Sequence, residues 1–126
     1  MLGVNNIGRK LMGKHILFLL KPGFKETEGG PYYCPDSAAI EGFLKFEPEI
    51  EKQIEVRRIE FPKPRKEIIE LVGEANQGCP VLVLDESSEL PDEATISEET
   101  CRANISDATK ICDFLGRLFG VARPHP

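Results

Sequence analysis

His15-Ile-Leu-Phe-Leu-Leu20 is an unbroken apolar run, closed by Lys21-Pro-Gly23. A strand with one face in water alternates apolar and polar residues, whereas a strand covered on both faces does not. The run therefore reads as a strand inside a sheet that carries helices on both sides. Lys21 to Tyr33 follows as a loop, because Pro22, Gly23, Gly29, Gly30 and Pro31 punctuate it. From Pro35 to Phe46, apolar residues at 39, 40, 43, 44 and 46 form a helical stripe that Pro48 closes. Ile54-Glu-Val-Arg-Arg-Ile-Glu-Phe61 predicts a second strand over 55–60. A helix begins within Pro62-Lys-Pro-Arg65, presents Ile68, Ile69, Leu71 and Val72, and stops at Gly73.

Gly78-Cys-Pro-Val-Leu-Val-Leu84 predicts a third buried strand. Residues 85–92 are acidic and turn-rich, a hairpin tip, and one short edge strand is expected within 94–105. Ser106-Asp107 caps a last helix with apolar residues at 108, 111, 112, 114, 115, 118 and 119, ended by Gly120. The order β-α-β-α-β-β-α predicts a three-layer α/β/α domain around a mixed sheet of about four strands.

The chain has 126 residues, 40% of them hydrophobic and 29% charged, which fits one globular domain. The domain is expected over 14–126, with residues 1–13 as a flexible extension. The net charge of −5 argues against nucleic acid or an anionic membrane as the main partner. The densest basic run, Lys63-Pro-Arg-Lys66, is diluted by Glu67 and Glu70 and reads as a solvated helix start. The longest apolar run is far short of the roughly 20 residues a bilayer span needs. No secretory pattern is present, so a cytoplasmic location is expected.

Cysteines stand at 34, 79, 101 and 112, with no Cys-x-x-Cys pair. A four-cysteine zinc site wants two close pairs, so no metal is assigned. In the cytoplasm such thiols stay reduced.

Cys34 stands where a helix begins, with Tyr33 before it and Pro35 at the first helical position. The first amides of a helix are unpaired and carry partial positive charge, which favours a thiolate. Cys34 is therefore the candidate nucleophile. Pro80 is the second feature: a proline at the start of a buried strand can be cis. A cis bond would leave the Cys79 backbone open to an extended peptide added as a strand. A trans proline at an ordinary strand start is the other reading. His15 and the Leu115/Leu118/Phe119 stripe read as structural, Asn76-Gln77 as a loop brace, Glu41 as solvent-facing. Cys101 reads as an edge-strand residue and Cys112 as core.

The order of these elements, with Cys34-Pro-Asp-Ser37 at a helix start and Cys79-Pro80 before a strand, resembles the thioredoxin-like fold. Asn104-Ile-Ser-Asp-Ala-Thr-Lys-Ile-Cys-Asp-Phe-Leu115 is similar to the end of a glutathione-transferase N-terminal domain. Phe18-Leu-Leu-Lys-Pro-Gly-Phe24, Tyr33-Cys-Pro-Asp36 and Gly73-Glu-Ala-Asn-Gln-Gly-Cys-Pro-Val-Leu-Val-Leu84 resemble a small bacterial family of unknown function with that expected fold. Many members of that family carry Cys-Pro-Asp-Cys, where this chain has Ser37.

The resemblance implies a thiol-disulfide oxidoreductase with Cys34, Ser37 and Cys79 at its reacting centre. Tyr33, Pro35, Cys79, Pro80, Ser106 and Asp107 would line the substrate site, and glutathione or a protein thiol or disulfide would be the partner. With serine at 37, Cys34 cannot be resolved by its neighbour. Glutathione could resolve it as co-substrate, as in monothiol glutaredoxins, or Cys79 could do so across the site. In a homodimer, Cys34 and Cys79 could hold metal together with two ligands from the second subunit. The alternative is a non-catalytic binding or regulatory domain on the same fold, since fold does not fix function.

Overall fold

The computed structural model describes residues 14–126; the extension expected over 1–13 lies outside the described residues. The chain enters β1 (Ile16–Leu20) and makes a hairpin of β2 (Phe24–Glu26) and β3 (Gly29–Tyr32). It then forms α1 (Pro35–Phe46), a 3₁₀ turn at Ile50–Lys52 and β4 (Glu55–Ile59). There follow α2 (Lys66–Val72), β5 (Val81–Val83), β6 (Thr95–Ile96), β7 (Ala103–Ile105) and α3 (Ala108–Phe119). No helix among the described residues is long and apolar enough to cross a membrane.

Five strands form a mixed sheet in the order β4-β1-β5-β7-β6. β4 runs parallel to β1, with Ile16 opposite Glu55 and Leu20 opposite Ile59. β5 is antiparallel to β1 with Leu17 opposite Leu82, and β7 is antiparallel to β5 with Leu82 opposite Ile105. The single edge strand expected within 94–105 is a pair, β6 and β7, antiparallel with Thr95 opposite Asn104. Two-residue β6 is too short to leave an alternation in the sequence.

β1 is buried on both faces, as its composition demands. Leu17 and Leu19 pack with Ile40, Phe43 and Leu44 of α1 and with Ile111 and Leu115 of α3. Phe18 faces the other way, onto Ile68 and Val72 of α2 and Val81 and Val83 of β5. Helices α1 and α3 thus cover one face of the sheet and α2 the other.

The segment expected as loop between β1 and Cys34 is instead a small separate hairpin, with Phe24 opposite Tyr32. Its second strand begins at Gly29 and Gly30, whose φ of 136° and 132° suit glycine. A Cβ on Gly30 would stand 2.9 Å from the Phe24 carbonyl oxygen, so the close approach of the two strands also requires glycine.

The outer strand β4 carries a row of ion pairs. Arg57 donates to Glu55 at 2.6 Å and to Glu67 at 3.2 Å. Arg58 donates to both oxygens of Glu41 at 2.8 and 2.9 Å and to Glu51 at 3.0 Å. Glu41 is therefore tied to the sheet edge rather than free in solvent.

Candidate thiol site

Cys34 is the N-cap of α1, with φ −81° and ψ 118°, and its Sγ accepts the Ser37 N–H at 3.4 Å. Pro35 occupies the first turn, where a missing N–H leaves nothing unpaired. The thiol is half-buried. Ser37 is 2% exposed, and its hydroxyl accepts the Leu20 N–H at 3.1 Å. That bond pins the first turn of α1 to the end of β1, which fixes Cys34 at that end of the sheet.

The sheet register brings the second cysteine to the same end. Phe18 stands opposite Val81, so the chain leaving β1 runs past the chain entering β5 through Cys79-Pro80. The Cys79-Pro80 bond is cis. Cys79 is half-buried, and burial pushes its thiol up to about 12. The neighbouring Cys34 adds to that rise and Arg65 opposes it. The two thiols therefore share one electrostatic neighbourhood. Both are free, as are Cys101 and Cys112.

Ser106 and Asp107 arrive at this end too, because Leu82 stands opposite Ile105. Asp107 caps α3 by accepting the Lys110 N–H at 2.9 Å, and both residues are exposed. Tyr33, 64% exposed, flanks Cys34. Beside it the hairpin adds Tyr32 and Phe24; the Phe24 ring stacks on Phe61 at 4.1 Å. Pro35 is exposed and Pro80 buried.

Arg65 is the residue that the sequence concealed. Read within the run Lys63-Pro-Arg-Lys66, it is one more solvated cation; in the structure it is 9% exposed. Its guanidinium donates twice to the Phe61 carbonyl, at 2.7 and 3.0 Å, and once to the Gln77 carbonyl at 2.8 Å. Its backbone N–H donates to Gln77 Oε1 at 2.9 Å. Arg65 thus locks the start of α2 to the loop that delivers Cys79. Lys63 and Lys66 are exposed, and nothing in the local pattern separates Arg65 from them. Asn76 and Gln77 brace this loop; the Asn76 amide donates to the Val72 carbonyl at 3.0 Å.

The remaining candidates lie elsewhere. His15 Nδ1 accepts the Asp85 N–H at 2.9 Å, and the ring packs edge-on against Phe114. Burial lowers its pKa, and Asp85 partly offsets that. Cys101, expected in an edge strand, lies in the turn between β6 and β7 with a φ of 64°. Cys112 is buried in the core, which pushes its thiol up to about 11. No group of three or more His, Cys, Asp or Glu placed to hold a metal occurs among the described residues.

This arrangement sets the Cys34 sulfur at the front of a helix, in the neighbourhood of a second thiol whose pKa burial raises. No curated protein and no solved structure matches the chain significantly. The profile of DUF3088, a family of proteins of unknown function, matches residues 14–123, and the chain belongs to that family.

Proposed function

We propose that the protein is a thiol-disulfide oxidoreductase or thiol-transfer protein on a thioredoxin-like fold, with Cys34 as nucleophile and an outside thiol as resolving partner. The observation that carries this reading is the Cys34 Sγ at the N-cap of α1, accepting the Ser37 N–H. An amide aimed at sulfur and the partial positive charge of the helix end both favour thiolate. The strand order β4-β1-β5-β7, with helices on both faces, supports the fold assignment.

In the first step the Cys34 thiolate attacks one sulfur of a disulfide. A Cys34–S–S–R bond forms, the original S–S bond breaks, and the departing thiolate takes a proton from water. A second thiol, glutathione or a protein cysteine, then attacks the R-side sulfur and releases Cys34 as thiolate. Each cycle consumes one thiol and one disulfide and returns one thiol and one new disulfide, so the exchange needs no further oxidant or reductant.

Ser37 has no sulfur, and its hydroxyl is committed to Leu20. Cys79 is held protonated by burial, which makes it a poor resolving nucleophile near neutral pH. Both facts favour the outside thiol. The exposed residues Ser106 and Asp107, together with Cys79, Pro80, Tyr33 and Pro35, would seat the rest of a glutathione molecule.

Oxidised glutathione offered to the reduced protein tests this. Mass spectrometry should show one glutathione on Cys34 and none in Cys34→Ser, and iodoacetamide should alkylate Cys34 faster than Cys101 at pH 7. Alkylation no faster than at Cys101, with no adduct, would overturn the reading in favour of a binding domain without thiol turnover.

A further inference from the structure

Glu99 stands exposed on the turn between β6 and β7, and among the described residues no lysine or arginine pairs with it. Its carboxylate is spent on backbone instead. Oε1 accepts the Glu74 N–H and Oε2 the Ala75 N–H, each at 3.0 Å. These amides open the loop that leaves α2 and delivers Cys79. Hydrogen bonds to an ionised acceptor are roughly twice as strong as neutral ones. A negative charge at the C-terminal end of a helix opposes the helix dipole, so this carboxylate is not placed to stabilise α2. What it organises is the loop.

Both sides of the contact are built for it. Gly73 ends α2 with a φ of 93°, and a Cβ there would stand 2.5 Å from Glu99 Cδ and 2.8 Å from Glu99 Cβ. Only glycine lets the carboxylate come this close. Ser97, 3% exposed, donates to the Val72 carbonyl at 2.8 Å and accepts the Glu99 and Thr100 N–H groups, both at 3.2 Å. Thr100 donates to the Leu71 carbonyl at 2.7 Å. The turn is thus anchored on the last carbonyls of α2, and this anchoring aims Glu99 at the two amides.

The other end of the loop is held by Arg65, whose guanidinium donates to the Gln77 carbonyl at 2.8 Å. The Gln77 side-chain amide donates back to the Glu74 carbonyl at 3.1 Å, joining the two ends. An anion therefore grips the loop by its N–H groups and a cation grips it by a C=O. Cys79 follows after Gly78.

We propose that Glu99 is a positioning residue of the thiol site, holding the loop from Gly73 to Cys79 so that Cys79 stays half-buried and its segment stays set for the resolving thiol. The effect on Cys79 stands without any reaction; the effect on the resolving thiol rests on the exchange proposed above.

The test compares the full chain with Glu99→Ala and Glu99→Gln, labelled with methyl methanethiosulfonate at pH 8 and read by peptide mapping. Glu99→Ala should speed labelling of Cys79 by about tenfold, the scale set by losing charge-assisted hydrogen bonds that keep the loop closed. Cys112, in the core, should keep its parent rate, which separates loop release from general loosening. Glu99→Gln, nearly the same size with one acceptor oxygen fewer, should also exceed the parent, and it carries the test if Glu99→Ala does not fold. Iodoacetamide should alkylate Cys34 at the parent rate, because none of these bonds touches α1. In exchange with oxidised glutathione, the KM for the resolving glutathione should rise several-fold in Glu99→Ala.

Three results would overturn the proposal: a Cys79 rate equal to the parent's in both variants, Cys79 and Cys112 accelerating together, or an unchanged KM for glutathione where the parent completes the exchange. A parent that forms no glutathione adduct would instead sink the thiol reading, while faster labelling of Cys79 alone would still establish Glu99 as the residue that holds the loop.

Discussion

The Leu20 amide donates to the Ser37 hydroxyl at 3.1 Å inside the core, joining the end of β1 to the third residue of the helix that Cys34 caps. Ser37→Ala should leave that amide without a partner and cost about 1–3 kcal/mol. A lower urea midpoint checks it. The Cys34 hydrogen bond comes from the Ser37 backbone, so the reactivity of Cys34 should survive any loss of stability in this variant.

Cys34→Ser should separate cap from chemistry. Serine is among the best N-cap residues, so unfolding free energy should stay within about 0.5 kcal/mol of the parent or rise. Formation of a mixed disulfide with glutathione should disappear. A fall in stability would show that the Cys34 sulfur caps the helix better than a serine hydroxyl does.

The four thiols should divide by burial. At pH 8, a disulfide reagent should react quickly with Cys101 and Cys34, and slowly with Cys79 and Cys112, which burial pushes up to about 12 and about 11. Unfolding in denaturant should make all four equal. The same shifts set a stability trend. The folded state holds these two protons above the pH at which the unfolded chain, with thiols near pKa 8.5, releases them. Stability from this source is therefore complete below about pH 8.5 and declines as pH rises toward 11 and 12. Urea midpoints from pH 8 to 11 should fall, and less steeply in Cys112→Ala.

His15 should give an acid limb. Its Nδ1 is an acceptor for the Asp85 N–H, which only the ring without a proton on Nδ1 can be, and burial lowers its pKa. The unfolded chain therefore takes up the proton first as pH falls, and stability drops below about pH 6.5. His15→Gln should flatten the change in urea midpoint between pH 7 and pH 5.

Arg65 should behave as a structural lock. Its guanidinium satisfies the Phe61 and Gln77 carbonyls together, so Arg65→Ala should cost about 2–3 kcal/mol. Lysine cannot reproduce the planar fork, and Arg65→Lys should recover little of it. Cys79 should become easier to label in both, because the loop that carries it is released.

The sequence announces whatever depends on local pattern. The Ile16–Leu20 run, the α1 stripe from Pro35 to Phe46 and the Asp107 cap each match the structure because composition or turn chemistry there has a single solution. The hairpin at 24–32 was hidden because its glycines read as breakers, whereas here they permit two strands to approach closely. Arg65 was hidden because its two acceptors are backbone carbonyls, which no side-chain pattern reveals. Cys34 and Cys79 were each conspicuous, but their shared neighbourhood follows from the pairing of β1 with β5, a relation across more than sixty positions of chain that spacing alone does not encode.

β4 is an outer strand of the sheet, and among the described residues no strand pairs with its free side. An open template of this kind invites a second chain to add itself and begin a polymer. Here a newcomer would meet Arg57 and Arg58 spread across Glu41, Glu51, Glu55 and Glu67. Laying a strand along that flank would strip water from six charges whose partners already hold them in place. The ion pairs add little to folding, since exposed pairs contribute about 1 kcal/mol or less each. Their consequence is colloidal: they keep neighbouring molecules from growing into fibres through this flank.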